Sequence, residues 1–272
     1  MSGCHRNLRF QTGHRRADPA TFEIPMFLSG GRKSDESGMK FSVCITTLND
    51  ARTLRRSLSS LFSEIDLKDT EVVVVDSESR DGSTSILREY QAKGMLKLIV
   101  QSCSVGMGRQ LAFVNSTGEN IVAYLDTDDT FRGLRESRAT YLAEYPGKTV
   151  KAKDFLIVPR SVVLEVGGWR DIHTAEDVDF YQRVRRRFGV VEVPWSIKVE
   201  FRARRFRMPF RAVEAVRKMW DMIDLGLPPD RYILNRKWRI VYLYLVAFHR
   251  LTPQGGPKKN WLADYVISLA RQ

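Results

Sequence analysis

Short apolar runs alternate with helical spacings through the first two thirds of this 272-residue chain. Residues 41–46 (FSVCIT) form a β-branched run that ends in a polar turn at 47–50, the pattern of a buried strand. Leu54, Leu58, Leu61 and Phe62 then recur at helical spacing, and the run EVVVV at 71–75 leads into a second polar turn at 76–83. Residues 84–93 read as a helix, 96–101 (LKLIVQ) as a strand, 108–116 as a helix and 121–125 (IVAYL) as a fourth buried strand. Strands alternating with helices at this spacing predict a parallel sheet with helices on both faces. Ligands of such sheets bind beyond the carboxyl ends of the strands, so the polar clusters at 46–50, 76–81, 102–109 and 126–129 are expected to share one rim.

Further on, 134–144 reads as a helix, 155–158 as a strand, 160–166 as a short helix, and Gly167-Gly168-Trp169 as a tight turn. A helix is expected over 177–188, strand alternation over 190–201, and three helices over 209–225, 232–251 and 261–270. The first 38 residues mix Arg, His, Gly, Ser and Asp without periodicity and read as a mobile tail. The expected organisation is a tail at 1–38, an α/β domain at 39–200 and a helical region at 201–272.

A hydrophobic fraction of 43% and a charged fraction of 28% exclude a disordered or predominantly membrane-embedded chain. The net charge of +12 is unevenly spread, because residues 178–272 hold 20 basic against 8 acidic side chains while the rest is nearly balanced. A basic block of this kind suits an anionic partner (a phospholipid surface, a phosphorylated substrate or nucleic acid) or is a solvated face. Cys4, Cys44 and Cys103 form no CxxC or Cys/His ligand spacing, which fits a reducing cytoplasm. No signal-peptide-length apolar stretch occurs in the first 38 residues. The segment 238–251 (WRIVYLYLVAFHRL) is too short to span a bilayer; it suits either an interfacial position or packing on the sheet.

Four groups carry candidate chemistry. Asp126, Asp128 and Asp129 end or directly follow a buried strand, and carboxylates so crowded are tolerated where a hard divalent cation offsets them or where they form a solvated turn. Such a cation, Mg²⁺ or Mn²⁺, completes its shell with phosphate oxygens and water, which implies a phosphorylated ligand. Asp76, at the end of another apolar strand, either accepts hydrogen bonds from a base or ribose or opens an Asx-turn. Thr174-Ala175-Glu176-Asp177 opens a helix; with Thr174 as N-cap, Asp177 occupies the third helical position, where the macrodipole favours an ionised carboxylate able to act as a base. Arg109, at a helix start on the same rim, either contacts a phosphate or base or is an exposed arginine of no function.

Together these segments resemble the family 2 glycosyltransferases with the nucleotide-sugar-binding A-type fold, from about Phe41 to Gly189. SVCITTLN at 42–49 is similar to the first strand and turn of that family, with Leu48 in place of the usual aromatic residue. Residues 74–83 resemble the Val-Asp-Asp-Gly-Ser loop with Ser77 in place of a second Asp, and 106–112 a looser Gly-x-x-x-Ala-Arg-Asn segment. GENIVAYLDTDD at 118–129 is close to the family's Asp-x-Asp strand, and 158–169 followed by Glu176-Asp177 matches its Gly-Gly-aromatic and Glu-Asp motifs. The resemblance implies a Rossmann-like, mostly parallel sheet and an inverting, metal-dependent enzyme with its catalytic domain at 39–200. It implies a UDP- or GDP-sugar donor, such as GDP-mannose, lying across Thr46, Asp76 and Arg109, its diphosphate reaching Asp126 and a metal held by Asp128 or Asp129. Asp177 would be the base, with Glu176 orienting the acceptor or the base. A hydroxyl on a glycan or lipid-linked glycan is the expected acceptor, reached from the cytoplasm with peripheral contact to an anionic membrane. A lipid phosphate is the alternative acceptor, and nucleic-acid binding through the arginine-rich end is the alternative of a different class, which leaves both acidic motifs unexplained.

Overall fold

The computed structural model describes residues 40–199, helical positions at 216, 218–220, 222–223 and 242–247, and a turn at Gly226. The expected tail at 1–38 lies outside the described residues, as do the helix expected over 261–270 and much of 209–225 and 232–251.

The elements run β1 (Phe41–Thr47), α1 (Ala51–Glu64), β2 (Thr70–Asp76), α2 (Ser83–Ala92), β3 (Lys97–Val100), α3 (Val105–Val114), β4 (Asn120–Asp126), β5 (Thr130–Phe131), α4 (Leu134–Glu144), β6 (Val150–Lys151), β7 (Leu156–Pro159), α5 (Arg160–Val166), α6 (Glu176–Phe188), β8 (Val191–Glu192) and β9 (Lys198–Val199). Seven strands form a sheet in the order β3-β2-β1-β4-β7-β6-β8. The first four strands run parallel to one another, as the alternation predicts. β7 turns antiparallel to β4, and β6 antiparallel to β7, so the sheet is mixed at one side.

Both faces of the sheet are covered. Leu54, Leu58 and Leu61 of α1, Leu87 of α2, and Leu134 and Tyr141 of α4 pack against Val43, Ile45, Val72, Val74 and Val122. On the other face Ala112 and Phe113 of α3, Val162 and Val163 of α5, and Phe180 and Val184 of α6 pack against Cys44, Val73, Val75 and Ile121. Burial removes most of the water from the Cys44 thiol and pushes its pKa up to about 12.

The strand expected over 190–201 is corrected to two separate pairs of residues. β8 joins the main sheet beside β6, whereas β9 pairs with β5 in a two-stranded ribbon, so the chain changes sheets between them. The change is fixed by Asp154, whose carboxylate accepts from Ser196 Oγ and from the backbone N–H groups of Ile197 and Lys198. A third small cluster joins the carboxyl-terminal region to the start of α6: Met219, Trp220, Met222 and Leu245 are buried with Ala175, and Val178 packs against them.

The loop preceding α6 is held against α3 by a close backbone approach. Gly106 donates its N–H to the Ile172 carbonyl at 3.1 Å, and a Cβ on Gly106 would lie 2.0 Å from the Arg170 carbonyl oxygen. Two backbones cannot relax past such a clash cheaply. Gly106→Ala is therefore expected to lower unfolding free energy by about 2 kcal/mol, measured by urea titration, and an unchanged midpoint would show that the two backbones separate freely.

Candidate active site

Two clefts, each of about 440 Å³, open beyond the carboxyl ends of the parallel strands and share Arg109 and Asp126. The first is bordered by Thr46 near the end of β1 and by Ser77, Cys103 and Asp128 from the loops after β2, β3 and β4. The second is bordered by Tyr124, Lys151, Lys153, Asp177 and Lys198.

Asp126 ends β4 and stands beside Thr46 of β1. The next residue, Thr127, turns inward: its hydroxyl donates to Asp50 Oδ2 at 2.6 Å and lies 3.0 Å from the Thr47 hydroxyl. That anchor fixes the loop, and oxygens of Asp126, Asp128 and Asp129 lie within 4.8 Å of one another. Three hard oxygen donors so grouped suit Mg²⁺ or Mn²⁺. The protein itself sets a cation there, because Lys198 Nζ lies 3.1 Å from Asp126 Oδ2 and also pairs with Asp129. Burial disfavours the Lys198 ammonium, but the two carboxylates outweigh it and raise its pKa. The oxygen donor set fits a divalent cation, which would compete with Lys198 for Asp126 and Asp129.

β4 carries an irregularity just before Asp126. The register against β1 passes from Val43↔Val122 to Ile45↔Leu125, so that Ala123 and Tyr124 together oppose Cys44. Tyr124 takes a φ of 72°, a costly conformation for an aromatic residue. The extra residue breaks the alternation, and Tyr124 joins Ile121 and Ala123 on the α3–α6 face instead of Val122 and Leu125 on the other. There its hydroxyl donates to the Asp177 carbonyl oxygen at 3.2 Å, and the Arg109 guanidinium lies 5.0 Å from its ring centroid.

Arg109 completes the link. Only 6% exposed, it donates from Nε to Glu176 Oε1 at 3.1 Å and places Nη2 3.8 Å from Asp126 Oδ1. Its Nη1 is buried without a hydrogen-bond partner, although Arg109 itself borders both clefts. Burial alone would lower the pKa of Arg109, yet Glu176 and Asp126 raise it; burial likewise raises that of Glu176 against the pull of Arg109.

Comparison with known proteins places this geometry. Residues 42–137 match the model of glycosyl transferase family 2. An uncharacterised glycosyltransferase of Nostoc sp. is 37% identical over 98 residues, 35% of this chain and 30% of its own length. Solved structures share the fold over a longer span. A mannosyltransferase from Pyrobaculum calidifontis in complex with GDP-Man and Mn²⁺ is 19% identical over 86% of this chain and 81% of its own, with a TM-score of 0.58. TarS 1–349 of S. aureus in complex with UDP-GlcNAc is 18% identical over 77% and 71%, with a TM-score of 0.53. Glucosyl-3-phosphoglycerate synthase from Mycobacterium tuberculosis in complex with Mn²⁺, UDP and glucosyl-3-phosphoglycerate is 15% identical over 72% and 83%, with a TM-score of 0.54. The fold is that of the A-type glycosyltransferases.

Within this fold the residues singled out in the sequence occupy distinct stations. Thr46, Arg109, Asp126 and Asp128 border the first cleft. Asp76 does not face it: fully buried, it accepts from the N–H and hydroxyl of Ser79 and from the Thr84 hydroxyl, which organises the loop and leaves Ser77 on the cleft wall. Arg109 lies inside α3 rather than at its first residue, since the helix begins at Val105. Thr174 does not supply the N-cap. Ala175, at φ 60°, holds that position without a side-chain hydrogen bond, so Asp177 is the second helical residue and not the third. Asp177 keeps a place in the helix's electropositive first turn, where its Oδ1 accepts from the Val178 N–H at 2.9 Å. Arg183, one of the arginines of the basic block, is committed to the buried Asp179 and to the carbonyls of Val166 and Gly168. Lys151 and Lys198 lie in no motif, and Tyr124, inside the 118–129 strand, reads in the sequence only as part of an apolar run.

The buried pair has a measurable signature. Arg109→Met leaves Glu176 as an unpaired buried carboxylate and is expected to cost about 3 kcal/mol of stability. Arg109→Met combined with Glu176→Gln should recover at least half of that loss in denaturant unfolding, and simple additivity of the two would mean that the groups do not depend on each other.

Proposed function

We propose that this chain is an inverting glycosyltransferase that moves a sugar from a nucleoside-diphosphate sugar to a hydroxyl acceptor with the help of Mn²⁺ or Mg²⁺. The observation that carries the reading is the joining of two acidic sites by one buried arginine: Asp126 and Asp128 on the first cleft, and Glu176-Asp177 beside the second. The mannosyltransferase solved with GDP-Man and Mn²⁺ and TarS solved with UDP-GlcNAc support a nucleotide-sugar in the first cleft. Asp126, Asp128 and Asp129 would hold the divalent cation, which, when bound, neutralises charge on the departing diphosphate.

In this reading the acceptor hydroxyl enters the second cleft and gives its proton to the Asp177 carboxylate. Its oxygen bonds to the anomeric carbon as the bond to the diphosphate oxygen breaks, and the electron pair leaves with the nucleoside diphosphate. Tyr124 and Val178 hold the backbone and carboxylate of Asp177, while Arg109 holds Glu176. A lipid phosphate, already ionised, would need no base, so the Glu-Asp pair favours a hydroxyl acceptor on a glycan or lipid-linked glycan.

We place the enzyme at the cytoplasmic face of a membrane. Leu243 and Tyr244 are 57% and 63% exposed beside Leu245, which is buried against the start of α6, and the surrounding segment is basic. No helix among the described residues is long and apolar enough to cross a bilayer.

Three measurements test the proposal. Thermal-shift screening of UDP-, GDP- and dTDP-sugars with Mn²⁺ should yield one stabilising donor, and Asp128→Ala should lose its metal-dependent part; full affinity in that variant removes Asp128 from the metal site. Asp177→Asn should lower turnover by about 10²–10⁴-fold while donor affinity persists; unimpaired transfer excludes Asp177 as the base. Cys103 borders the donor cleft and its pKa is raised, chiefly by partial burial, so it should alkylate slowly. Bound donor should slow it further by peptide mass spectrometry, and an unaltered rate would put the donor elsewhere.

A further inference from the structure

The second cleft carries more positive side chains than the proposed proton transfer uses. Four cationic residues border it, Arg109, Lys151, Lys153 and Lys198. Two of them have carboxylate partners: Arg109 pairs with Glu176 and Asp126, and Lys198 with Asp126 and Asp129. Lys151 and Lys153 form no ion pair with any described residue.

Their placement follows from the strand. Lys151 ends β6 and Lys153 stands two residues on, so both side chains leave the same side while Val150 and Ala152 are buried on the other. The Lys151 ammonium donates to the Ala152 carbonyl at 2.6 Å, a contact that satisfies one N–H but balances no charge. Lys151 is partly buried, and that burial lowers its pKa against the opposing pull of Asp177 and Asp154. A lysine kept for solubility extends its ammonium into water. Lys151 instead holds it over a cleft and partly desolvated, which is unfavourable unless a ligand supplies the counter-charge.

The two carboxylates that act most strongly on Lys151, Asp177 and Asp154, have other commitments. Asp154 is saturated by Ser196 Oγ and the N–H groups of Ile197 and Lys198. Asp177, on the present reading, is neutralised by the proton it receives during the reaction. Glu192, the remaining acidic group that acts on Lys151, accepts from the Tyr181 hydroxyl at 2.7 Å.

We propose that the second cleft is the binding site of an acidic acceptor, one that bears a phosphate or carboxylate close to the hydroxyl that is glycosylated, with Lys151 and Lys153 as its anion-binding residues. The site rests on the reading of this chain as a nucleotide-sugar transferase and adds the chemical class of the acceptor. The nucleophilic hydroxyl approaches Asp177 and the anion lies on the two lysines, so the charge both holds the acceptor and fixes which hydroxyl is presented. An uncharged sugar would leave both lysines without a counter-ion.

The test uses two probes that differ only by a phosphate. The protein is first loaded with Mg²⁺ and the nucleoside diphosphate, UDP, GDP or dTDP, that stabilises it; if none binds, the transferase reading itself fails. Melting temperature is then followed with glycerol 3-phosphate and with glycerol. Glycerol 3-phosphate should raise it and glycerol at equal concentration should not. In Lys151→Gln/Lys153→Gln the affinity for glycerol 3-phosphate should fall by roughly tenfold or more, with the nucleotide response unchanged. Vesicles of phosphatidylcholine with and without phosphatidylglycerol, in a parallel sedimentation arm, distinguish a lipid-borne phosphate from a free one; binding that needs both the anionic lipid and the two lysines assigns the lipid source. Nucleotide-loaded protein that ignores both phosphate sources, that responds equally to glycerol, or whose double variant responds like the wild type overturns the proposal.

Discussion

The buried ion pair between Arg109 and Glu176 is the constraint on which the site depends. Neither group is stable in the interior without the other, since an uncompensated charge there is costly. α3 and α6 must therefore meet at one distance. That meeting brings the start of α6 to the end of β4, and with it Asp177 to the neighbourhood of Asp126. The requirement explains the close approach at Gly106, where a side chain would force the loop before α6 away from α3. It also explains why an arginine expected to face a ligand is nearly inaccessible: its charge serves the framework.

The acidic loop obeys a related balance. Asp126, Asp128 and Asp129 repel one another, and Lys198 offsets part of that repulsion from a strand far along the chain. Lys198 reaches them because Asp154 clamps the segment 196–198. The chain order of these elements is remote from their spatial order, so the charge balance is a property of the fold rather than of any one segment.

The sequence was most informative where periodicity had room to develop. The helices at 134–144 and 160–166 run over the residues expected of them, and each strand of the parallel core begins and ends within about two residues of its apolar run. The fourth strand was legible as a carrier of carboxylates because an uninterrupted apolar run stops at Asp126. What stayed hidden has identifiable causes. β5, β6, β8 and β9 are two residues long, too short for any period to register. Ala175 as an N-cap contradicts every capping preference, and it is buried with Met219, Trp220 and Met222, residues remote in the sequence. Asp76 has the same local pattern as a ligand-binding aspartate, and only the positions of Ser79 and Thr84 turn it inward. Lys151 and Lys198 lie in unremarkable stretches and acquire meaning only from what the sheet sets opposite them.

The extra residue in β4 has a consequence for how this sequence can vary. Read alone, IVAYL is an ordinary strand, and a glycine would accept the backbone of its fourth position with less strain than tyrosine does. A glycine would also remove the hydroxyl that holds Asp177 and the ring beneath Arg109. Selection for comfort in the backbone and selection for the position of a carboxylate therefore act in opposite directions on one residue, and the tyrosine records which of the two prevailed.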